Sequence, residues 1–294
     1  MITPDDNGSE GRKPGIGVAL GAGGANGLAH ISMLEVLDEL GIKPHCISGS
    51  SIGAVIGALY ASGLSAQEIR EQVDRIVISP DDQMTEKLIS ADAFRWIKFL
   101  EIGFGKGGLI NGEGFMSYLY EIIKQDTFES LEIPLKVIAA DLWSGDQVVL
   151  EAGELLPAIK ASMSLPGVFE PVILNGRALI DGGTVNPVPY DVLNGQCDIV
   201  IAIDVLGRRT IPDEITPGYF DTIFNSIRVM QRSIMLEKRR QSEPAIYFAP
   251  QVVDVRVIEF YRASQVFEQA RPFKETFKRQ LTEVLNVWYP HQLK

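Results

Sequence analysis

Residues 46–60 read CISGSSIGAVIGALY, and this stretch decides the fold. A short apolar run leads into Gly49-Ser50-Ser51-Ile52-Gly53, a G-x-S-x-G pattern, and Ala54–Tyr60 then has the composition of a helix. In a nucleophile elbow the serine occupies a strained turn between a strand and a helix, and its small neighbours allow the backbones to approach closely. We therefore predict Ser51 as a nucleophile supported by Gly49 and Gly53. The alternative is a glycine-serine turn without chemistry.

A second unit of the same kind precedes the elbow. The apolar run Ile16–Leu20 leads through a glycine-rich turn into a helical pattern over Leu28–Leu40. Two consecutive strand-loop-helix units predict an α/β fold with a mostly parallel central sheet sandwiched by helices. Later strands are predicted at Leu135–Ala140, Gln147–Leu150, Ala178–Ile180, Ile199–Ile203 and near Ala245–Phe248.

The chain shows no linker that would divide it into separate domains. We expect a mobile N-terminal tail over residues 1–14, an α/β unit over 15–205, and a C-terminal helical elaboration on the same domain over 206–294. Residues 84–110 combine glycines with aromatic side chains and are a candidate lid. The tail lacks the apolar segment of a signal peptide, and no apolar stretch reaches the length of a membrane span.

The glycine-rich turn, residues 21–27, permits three interpretations. A dinucleotide fingerprint is disfavoured because Asn26 stands where the third glycine belongs, and Gly27 comes one residue late. A plain tight turn is possible. The interpretation that fits a neighbouring serine elbow is an oxyanion hole, formed by the N–H groups of Gly23 and Gly24.

A serine nucleophile needs a base, and the chain has only 3 His. Of these, only His291 follows Ser51 in the chain, close to the C-terminus, so we expect a carboxylate base instead. Asp181 is the best candidate, because the apolar residues before it predict a buried strand, while Gly182 and Gly183 predict a turn at the strand's end. Burial would raise its pKa and make it a better base. Asp-Gly-Gly is also a common turn sequence, which is the alternative.

Charge and composition exclude several classes of partner. With 27 basic and 38 acidic residues, the net charge of −11 argues against nucleic acid and against a polybasic membrane anchor. The basic run Lys238–Arg240 is interpreted as a solvated helix face, and Asp141 and Asp204 as structural carboxylates. The scarcity of His and Cys predicts no metal site and a reducing, cytoplasmic location, with at most a local, apolar, peripheral membrane contact.

Taken together, the motifs resemble those of the patatin-like phospholipase family over residues 15–205. The resemblance rests on LGAGGANGLAHISMLEVLDELGIKP, GSSIG, the segments 140–145 and 161–169, and Asp-Gly-Gly, in this order. It implies a three-layer α/β/α fold and a Ser51–Asp181 dyad that needs no metal or cofactor. Gly23 and Gly24 would match the family's oxyanion hole. The implied substrates are acyl esters of phospholipids, lysophospholipids or neutral lipids.

One position departs from the family pattern. The family usually carries Arg or Lys where this chain has Asn26, which weakens the expectation of a strictly phospholipid substrate. The expected function is therefore a serine acyl-ester hydrolase acting on lipids. The alternatives are a thioesterase or small-ester carboxylesterase with the same dyad, a catalytically silent lipid-binding or regulatory protein, and, more distantly, a nucleotide-binding protein.

Overall fold

The computed structural model of the chain describes residues 14–77, 113–210 and 216–288. The candidate lid at 84–110 and His291 lie outside these ranges. Within them the strands, numbered along the chain, are β1 (Ile16–Leu20), β2 (Cys46–Ser50), β3 (Leu135–Asp141), β4 (Gln147–Leu150), β5 (Val172–Leu174), β6 (Arg177–Asp181), β7 (Ile199–Ile203) and β8 (Ile246–Phe248). The α-helices are α1 (Ala29–Glu39), α2 (Ile52–Ala61), α3 (Ala66–Val77), α4 (Glu113–Ile123), α5 (Leu155–Ser162), α6 (Tyr219–Gln241), α7 (Ala263–Ala270) and α8 (Phe273–Trp288).

The strands form one mixed, mostly parallel sheet in the order β5-β6-β3-β2-β1-β7-β8, with β4 paired to β3. Strands β1, β2, β3, β7 and β8 are mutually parallel, whereas β4 and β6 pair with β3 antiparallel, as β5 does with β6. The predicted α/β class with a mostly parallel sheet is confirmed. Strand β8 comes from beyond residue 205, so the C-terminal part of the chain contributes to the sheet as well as to its helical cover.

Strand β6 differs from the expectation in direction. In a mostly parallel sheet the end of a strand would lie at the shared carboxyl edge, but this is wrong for Asp181 because β6 runs antiparallel to β3. Strand β2 pairs with β3 as far as Ile138, and β6 pairs with β3 from Ala139, opposite Asp181. Strand β4 pairs with Val137–Ala140 of β3, positions that overlap the pairing of both β2 and β6 with β3. Strand β4 must therefore lie along the opposite edge of β3. Asp181 therefore follows directly after the end of β2 along the same edge of β3, next to Ser51.

The core lies on both faces of the sheet, as the alternation along the strands requires. Val18 and Leu20 of β1 face a large cluster that includes buried residues of α1, α2, α3, α7 and α8. Ala19 faces a smaller cluster with Val188 and with Met235 of α6. The helical cover is therefore thick on one face and thin on the other, and α6 forms part of the thin side.

Candidate active site

Ser51 connects β2 to α2 in a strained backbone conformation. Its φ of 56° and ψ of −125° lie in a region that residues with a Cβ rarely adopt. The Ser51 N–H donates a hydrogen bond to the Ser162 hydroxyl at 2.9 Å, which anchors the turn to α5. The side chain is thereby held outward at the start of α2, where the helix N-terminus provides a positive field.

The glycines of the elbow are required by close backbone contacts. A Cβ on Gly49 would lie 2.5 Å from the Gly53 carbonyl oxygen, and a Cβ on Gly53 would lie 2.1 Å from the Leu20 carbonyl oxygen. A Cβ on Gly27 would lie 2.2 Å from a methyl group of Ile52. The turn of the G-x-S-x-G pattern and the glycine-rich turn, which follow the adjacent strands β2 and β1, therefore pack closely against each other.

Asp181 is buried beside Ser51, with 2% of its surface exposed. Its carboxylate accepts a hydrogen bond from the Gly183 N–H at 2.7 Å, and its own N–H donates to the Ser164 carbonyl at 3.0 Å. The Ser51 hydroxyl lies within hydrogen-bonding reach of the carboxylate. Burial raises the pKa of Asp181 from 3.8 to about 6, against the opposing effects of the Ser51 hydroxyl and the Gly183 N–H.

The two glycines after Asp181 let its turn fit between neighbouring segments. A Cβ on Gly182 would lie 2.1 Å from the Ile138 carbonyl oxygen of β3, and a Cβ on Gly183 would lie 2.7 Å from the Ala22 Cβ. The Asp-Gly-Gly turn therefore packs against both β3 and the glycine-rich turn. This contact holds the carboxylate next to the segment proposed as an oxyanion hole.

The glycine-rich turn leaves two adjacent N–H groups beside Ser51. The Ala22 N–H donates to the Pro187 carbonyl at 2.7 Å, and the Ala25 N–H donates to the Val257 carbonyl at 2.8 Å. Between them, Gly23 and Gly24 line a cavity together with Ser51. Across the described residues, the hydrogen bonds of this turn include none donated by the Gly23 or Gly24 N–H. Those two groups are available to an oxyanion.

His30 is a residue whose place sequence reasoning missed. It is fully buried, and its Nε2–H donates to the Gly21 carbonyl at 2.8 Å. Burial lowers its pKa to about 4, so the ring is neutral near pH 7. Within the described part of the chain, neither His30 nor the exposed His45 forms a hydrogen bond with Ser51. His30 therefore stabilises the glycine-rich turn through its hydrogen bond to Gly21.

Two cavities meet at Ser51. The first, which we call the apolar cavity, is walled mainly by aliphatic and aromatic side chains of α2, α3, α4 and the segments 163–169 and 257–260. The second, the polar cavity, contains Asp181 and the side chains of Arg209, Arg228 and Arg256. Ser51 and Gly24 line both cavities, so the Ser51 hydroxyl lies at the junction of the apolar cavity and the polar cavity.

The structure also places the other charged residues that the sequence singled out. Asp141 accepts a hydrogen bond from the Trp143 N–H at 3.0 Å, and Asp204 accepts one from the Leu206 N–H at 2.9 Å, so both have structural partners as expected.

The basic run at the end of α6 departs in part from its interpretation as a solvated face. Lys238 is partly buried and donates to the Asn186 side chain and the Val188 carbonyl. The Arg239 guanidinium lies 4.2 Å from the centre of the Tyr247 ring. Only Arg240 is exposed. The stems of long basic side chains cover apolar surface here and fasten α6 to the sheet.

Within residues 14–77, 113–210 and 216–288, no group of three or more His, Cys, Asp or Glu side chains is placed to hold a metal ion. None of the helices described there is both long enough and apolar enough to cross a membrane.

Comparisons with known proteins agree with this architecture. The sequence profile described as patatin-like phospholipase matches residues 18–194. An uncharacterized NTE family protein of Mycobacterium tuberculosis is 32% identical over 200 residues, which cover 68% of this chain and 51% of that protein. Patatin-like phospholipase domain-containing protein 7 of Rattus norvegicus is 34% identical over 197 residues, covering 66% of this chain and 14% of that protein. The chain thus spans about half the length of its mycobacterial relative.

Among solved structures, VipD from Legionella pneumophila aligns with a TM-score of 0.49 and 12% identity, covering 90% of this chain and 67% of that one.

Proposed function

The chain belongs to the patatin-like phospholipase family, and from this premise we propose that it is a lipid acyl-ester hydrolase with Ser51 as nucleophile and Asp181 as base. The observation that carries the proposal is the pairing of a strained, outward-held serine with a buried carboxyl group whose pKa is raised to about 6. A base whose pKa lies near the working pH is deprotonated in a large fraction of the molecules and is still basic enough to accept a proton.

Acylation begins when the Ser51 Oγ attacks the ester carbonyl carbon and its proton passes to Asp181. The carbonyl oxygen becomes an oxyanion, which the N–H groups of Gly23 and Gly24 stabilise as hydrogen-bond donors. Neither N–H group donates to an acceptor among the described residues, and donors already in place need no reorganisation when the charge develops. The intermediate then collapses, the bond to the alcohol oxygen breaks, and Asp181 returns its proton to that oxygen.

Deacylation repeats the sequence with water in place of Ser51. Asp181 takes a proton from the water molecule, whose oxygen attacks the acyl-enzyme carbonyl, and the same two N–H groups stabilise the oxyanion. Collapse releases the carboxylic acid, and Asp181 returns the proton to the Ser51 oxygen. Burial serves the carboxylate in both half-reactions, since it keeps the pKa of Asp181 high enough to accept a proton.

The apolar cavity supports a fatty acyl chain as the acid part of the ester. Its walls include Leu28, Val55, Leu59, Val73, Leu119 and Val168, and it opens beside Ser51. Burial of one methylene group contributes about 0.8 kcal/mol, so chain length should strongly influence affinity. A small-ester carboxylesterase would not need such a compartment, which favours lipid esters over that alternative.

The test is labelling by a fluorophosphonate probe, together with fatty-acid release from oleoyl esters. Ser51→Ala should lose both labelling and hydrolysis, and Asp181→Asn should lose most hydrolysis. Ser50→Ala is the matched control, because the Ser50 hydroxyl donates to the Asn186 carbonyl instead of to Asp181. It should still be labelled.

Three results would contradict the proposal. Undiminished hydrolysis by a pure Ser51→Ala preparation would remove Ser51 as nucleophile. Tight binding of an oleoyl lipid with no turnover by the unmodified protein would favour the lipid-binding alternative. Faster hydrolysis of an oleoyl thioester than of the oxygen ester would point to the thioesterase.

A further inference from the structure

The polar cavity concentrates positive charge in an acidic protein. The chain has a net charge of −11, yet three arginines, Arg209, Arg228 and Arg256, line the cavity beside Ser51, against two carboxylates, Asp181 and Asp221. A local cationic site in a chain of opposite net charge binds anions by short-range contacts, because long-range attraction is absent.

Two of these arginines have no carboxylate partner within the part of the chain that the structure describes. Arg256 forms an ion pair with Asp221 at 3.5 Å. Among the described residues no carboxylate lies within ion-pair distance of Arg209 or Arg228. The pKa of Arg228 is lowered by burial and by the charges of Arg209 and Arg232, although Asp254 offsets part of this effect.

Asp254 already has strong partners of its own. Its carboxylate accepts hydrogen bonds from the Thr210 N–H at 3.0 Å and from the Thr210 hydroxyl at 2.9 Å. It therefore offsets only part of the crowded positive charge in the cavity. A bound anion would supply the remaining compensation for Arg209 and Arg228.

Helix α6 fixes Arg228 relative to the proposed catalytic residues. Gln231, three residues further along the same helical face, donates its side-chain N–H to the Gly183 carbonyl at 3.1 Å. Gly183 in turn donates to the Asp181 carboxylate. The helical segment that carries Arg228 is thus joined by two consecutive hydrogen bonds to the carboxylate of Asp181.

We propose that Arg209 and Arg228 bind a phosphate group on the alcohol part of the substrate, so that the preferred ester is an acylated, phosphorylated alcohol such as a monoacylglycerol phosphate. The inference rests on the proposed function, since it takes Ser51 as the attacking group. With the acyl chain in the apolar cavity, the alcohol extends into the polar one. Guanidinium groups suit a phosphate because each can donate two parallel hydrogen bonds.

Asn26 contributes a second observation at the same site. It lines the polar cavity, is 5% exposed, and its Oδ1 has no hydrogen-bond partner among the described residues. A buried acceptor left unpaired is costly, so a donor from a ligand would satisfy it. A free hydroxyl of a glycerol moiety is such a donor. The cation absent at position 26 is then replaced by arginines from elsewhere in the chain.

The test compares the hydrolysis of 1-oleoylglycerol 3-phosphate and of 1-oleoylglycerol in identical mixed micelles. Arg228→Gln and Arg209→Gln should each reduce kcat/KM for the phosphorylated ester about tenfold or more, mainly through KM, since each removes a charged hydrogen bond. Their effect on the phosphate-free ester should be at least about tenfold smaller. Arg240→Gln is the matched control, because Arg240 is an exposed arginine of the same helix outside the polar cavity and should leave both rates unchanged.

Equal losses on the two esters, or a wild-type preference for the phosphate-free ester, would overturn the proposal. So would an Arg240→Gln variant that loses as much as Arg228→Gln. Inorganic phosphate and glycerol 3-phosphate, tested as inhibitors of 1-oleoylglycerol hydrolysis, distinguish a substrate subsite from a free-anion site. Inhibition by both without any preference for the phosphorylated ester also overturns it.

A separate measurement keeps this proposal independent of the proposed function. Calorimetric binding of 1-oleoylglycerol 3-phosphate to Ser51→Ala needs no turnover, and adding Arg228→Gln should weaken it about tenfold or more. If neither ester is hydrolysed by the wild type but this difference in binding is found, the hydrolase proposal fails and the phosphate site stands. If hydrolysis occurs and the binding is unchanged by Arg228→Gln, the phosphate site fails alone.

Discussion

Replacing Asp181 with asparagine should remove most of the hydrolysis and make the protein more stable at the same time. Asp181 is buried, and burial raises the pKa of its carboxyl group from 3.8 to about 6. At pH 7 the folded protein therefore holds a charge that the unfolded chain accommodates more easily in water. The amide of Asn has a similar shape, carries no charge, and still offers an oxygen to the Gly183 N–H.

The magnitude follows from the difference between the two pKa values. A carboxyl group with a raised pKa in the folded state favours folding below pH 3.8 and loses that contribution as the pH rises through about 6. Relative to acid conditions, the charged Asp181 lowers the free energy of unfolding at pH 7 to 8 by about 3 kcal/mol at most. Asp181→Asn should recover part of this cost, about 1–3 kcal/mol, and raise Tm by several degrees.

The assay is thermal or urea unfolding of both proteins at pH 7.5 and at pH 4. The stabilisation by Asp181→Asn should be present at pH 7.5 and nearly absent at pH 4, where the carboxyl group is neutral. Other titrating groups are common to both proteins and cancel in the difference. Asp204→Asn is the control, because its carboxylate accepts hydrogen bonds from the Leu206 N–H and the Tyr247 hydroxyl, and it should not stabilise. A stabilisation by Asp181→Asn that is equal at both pH values, or a destabilisation at pH 7.5, would refute the reasoning.

Four further outcomes are expected. First, kcat/KM should rise with pH through an inflection near 6, as Asp181 loses its proton; a flat profile from pH 5 to 8 would contradict this. Second, the free energy of unfolding of Ser51→Gly, measured in urea, should exceed that of Ser51→Ala by about 1 kcal/mol or more, since both variants lack the hydroxyl but only glycine relieves the strain of the positive φ. Third, Gly53→Ala should abolish folding or activity, whereas Gly57→Ala, whose Cβ would lie 3.2 Å from an Ile47 methyl group, should be tolerated. Fourth, the free energy of unfolding of the unmodified protein should fall relative to that of His30→Asn as the pH drops from about 6.5 to 4, because buried His30 resists the proton that the unfolded chain accepts, while the opposing contribution of Asp181 is common to both proteins.

The sequence was informative where local backbone geometry requires a particular residue type. Gly49 and Gly53 lie where a Cβ would meet a carbonyl oxygen, so the spacing around Ser51 follows directly from the turn. The same holds for the helix break at Pro272, since α7 ends at Ala270 and α8 begins at Phe273. A proline lacks the N–H that a continuous helix would need. These features depend only on residues that are close together in the chain, so a single sequence is enough to predict them.

Features that depend on distant pairing were not predictable. The direction of β6 is set by its antiparallel register with β3, and nothing in the sequence of five residues distinguishes it from a parallel strand. The polar cavity is a clearer case, because Arg209 follows β7 while Arg228 belongs to α6. Each is an ordinary basic residue in the sequence, and only the docking of α6 against the Asp181 turn brings them together.

The proposed dyad requires a scaffold that tolerates two unfavourable features in contact. Ser51 has a strained backbone and Asp181 has a buried charge, and each costs about 1–3 kcal/mol in proteins generally. Neither relaxes, because Ser51 is held by the Ser162 hydroxyl and Asp181 by the N–H of Gly183. A histidine base would not need a buried charge, since its free pKa is already near 6.5. A carboxylate reaches the same pKa only by burial. The close glycine contacts around Asp181 keep its carboxyl group buried, and this burial raises its pKa to the range that the proposed role as a base requires.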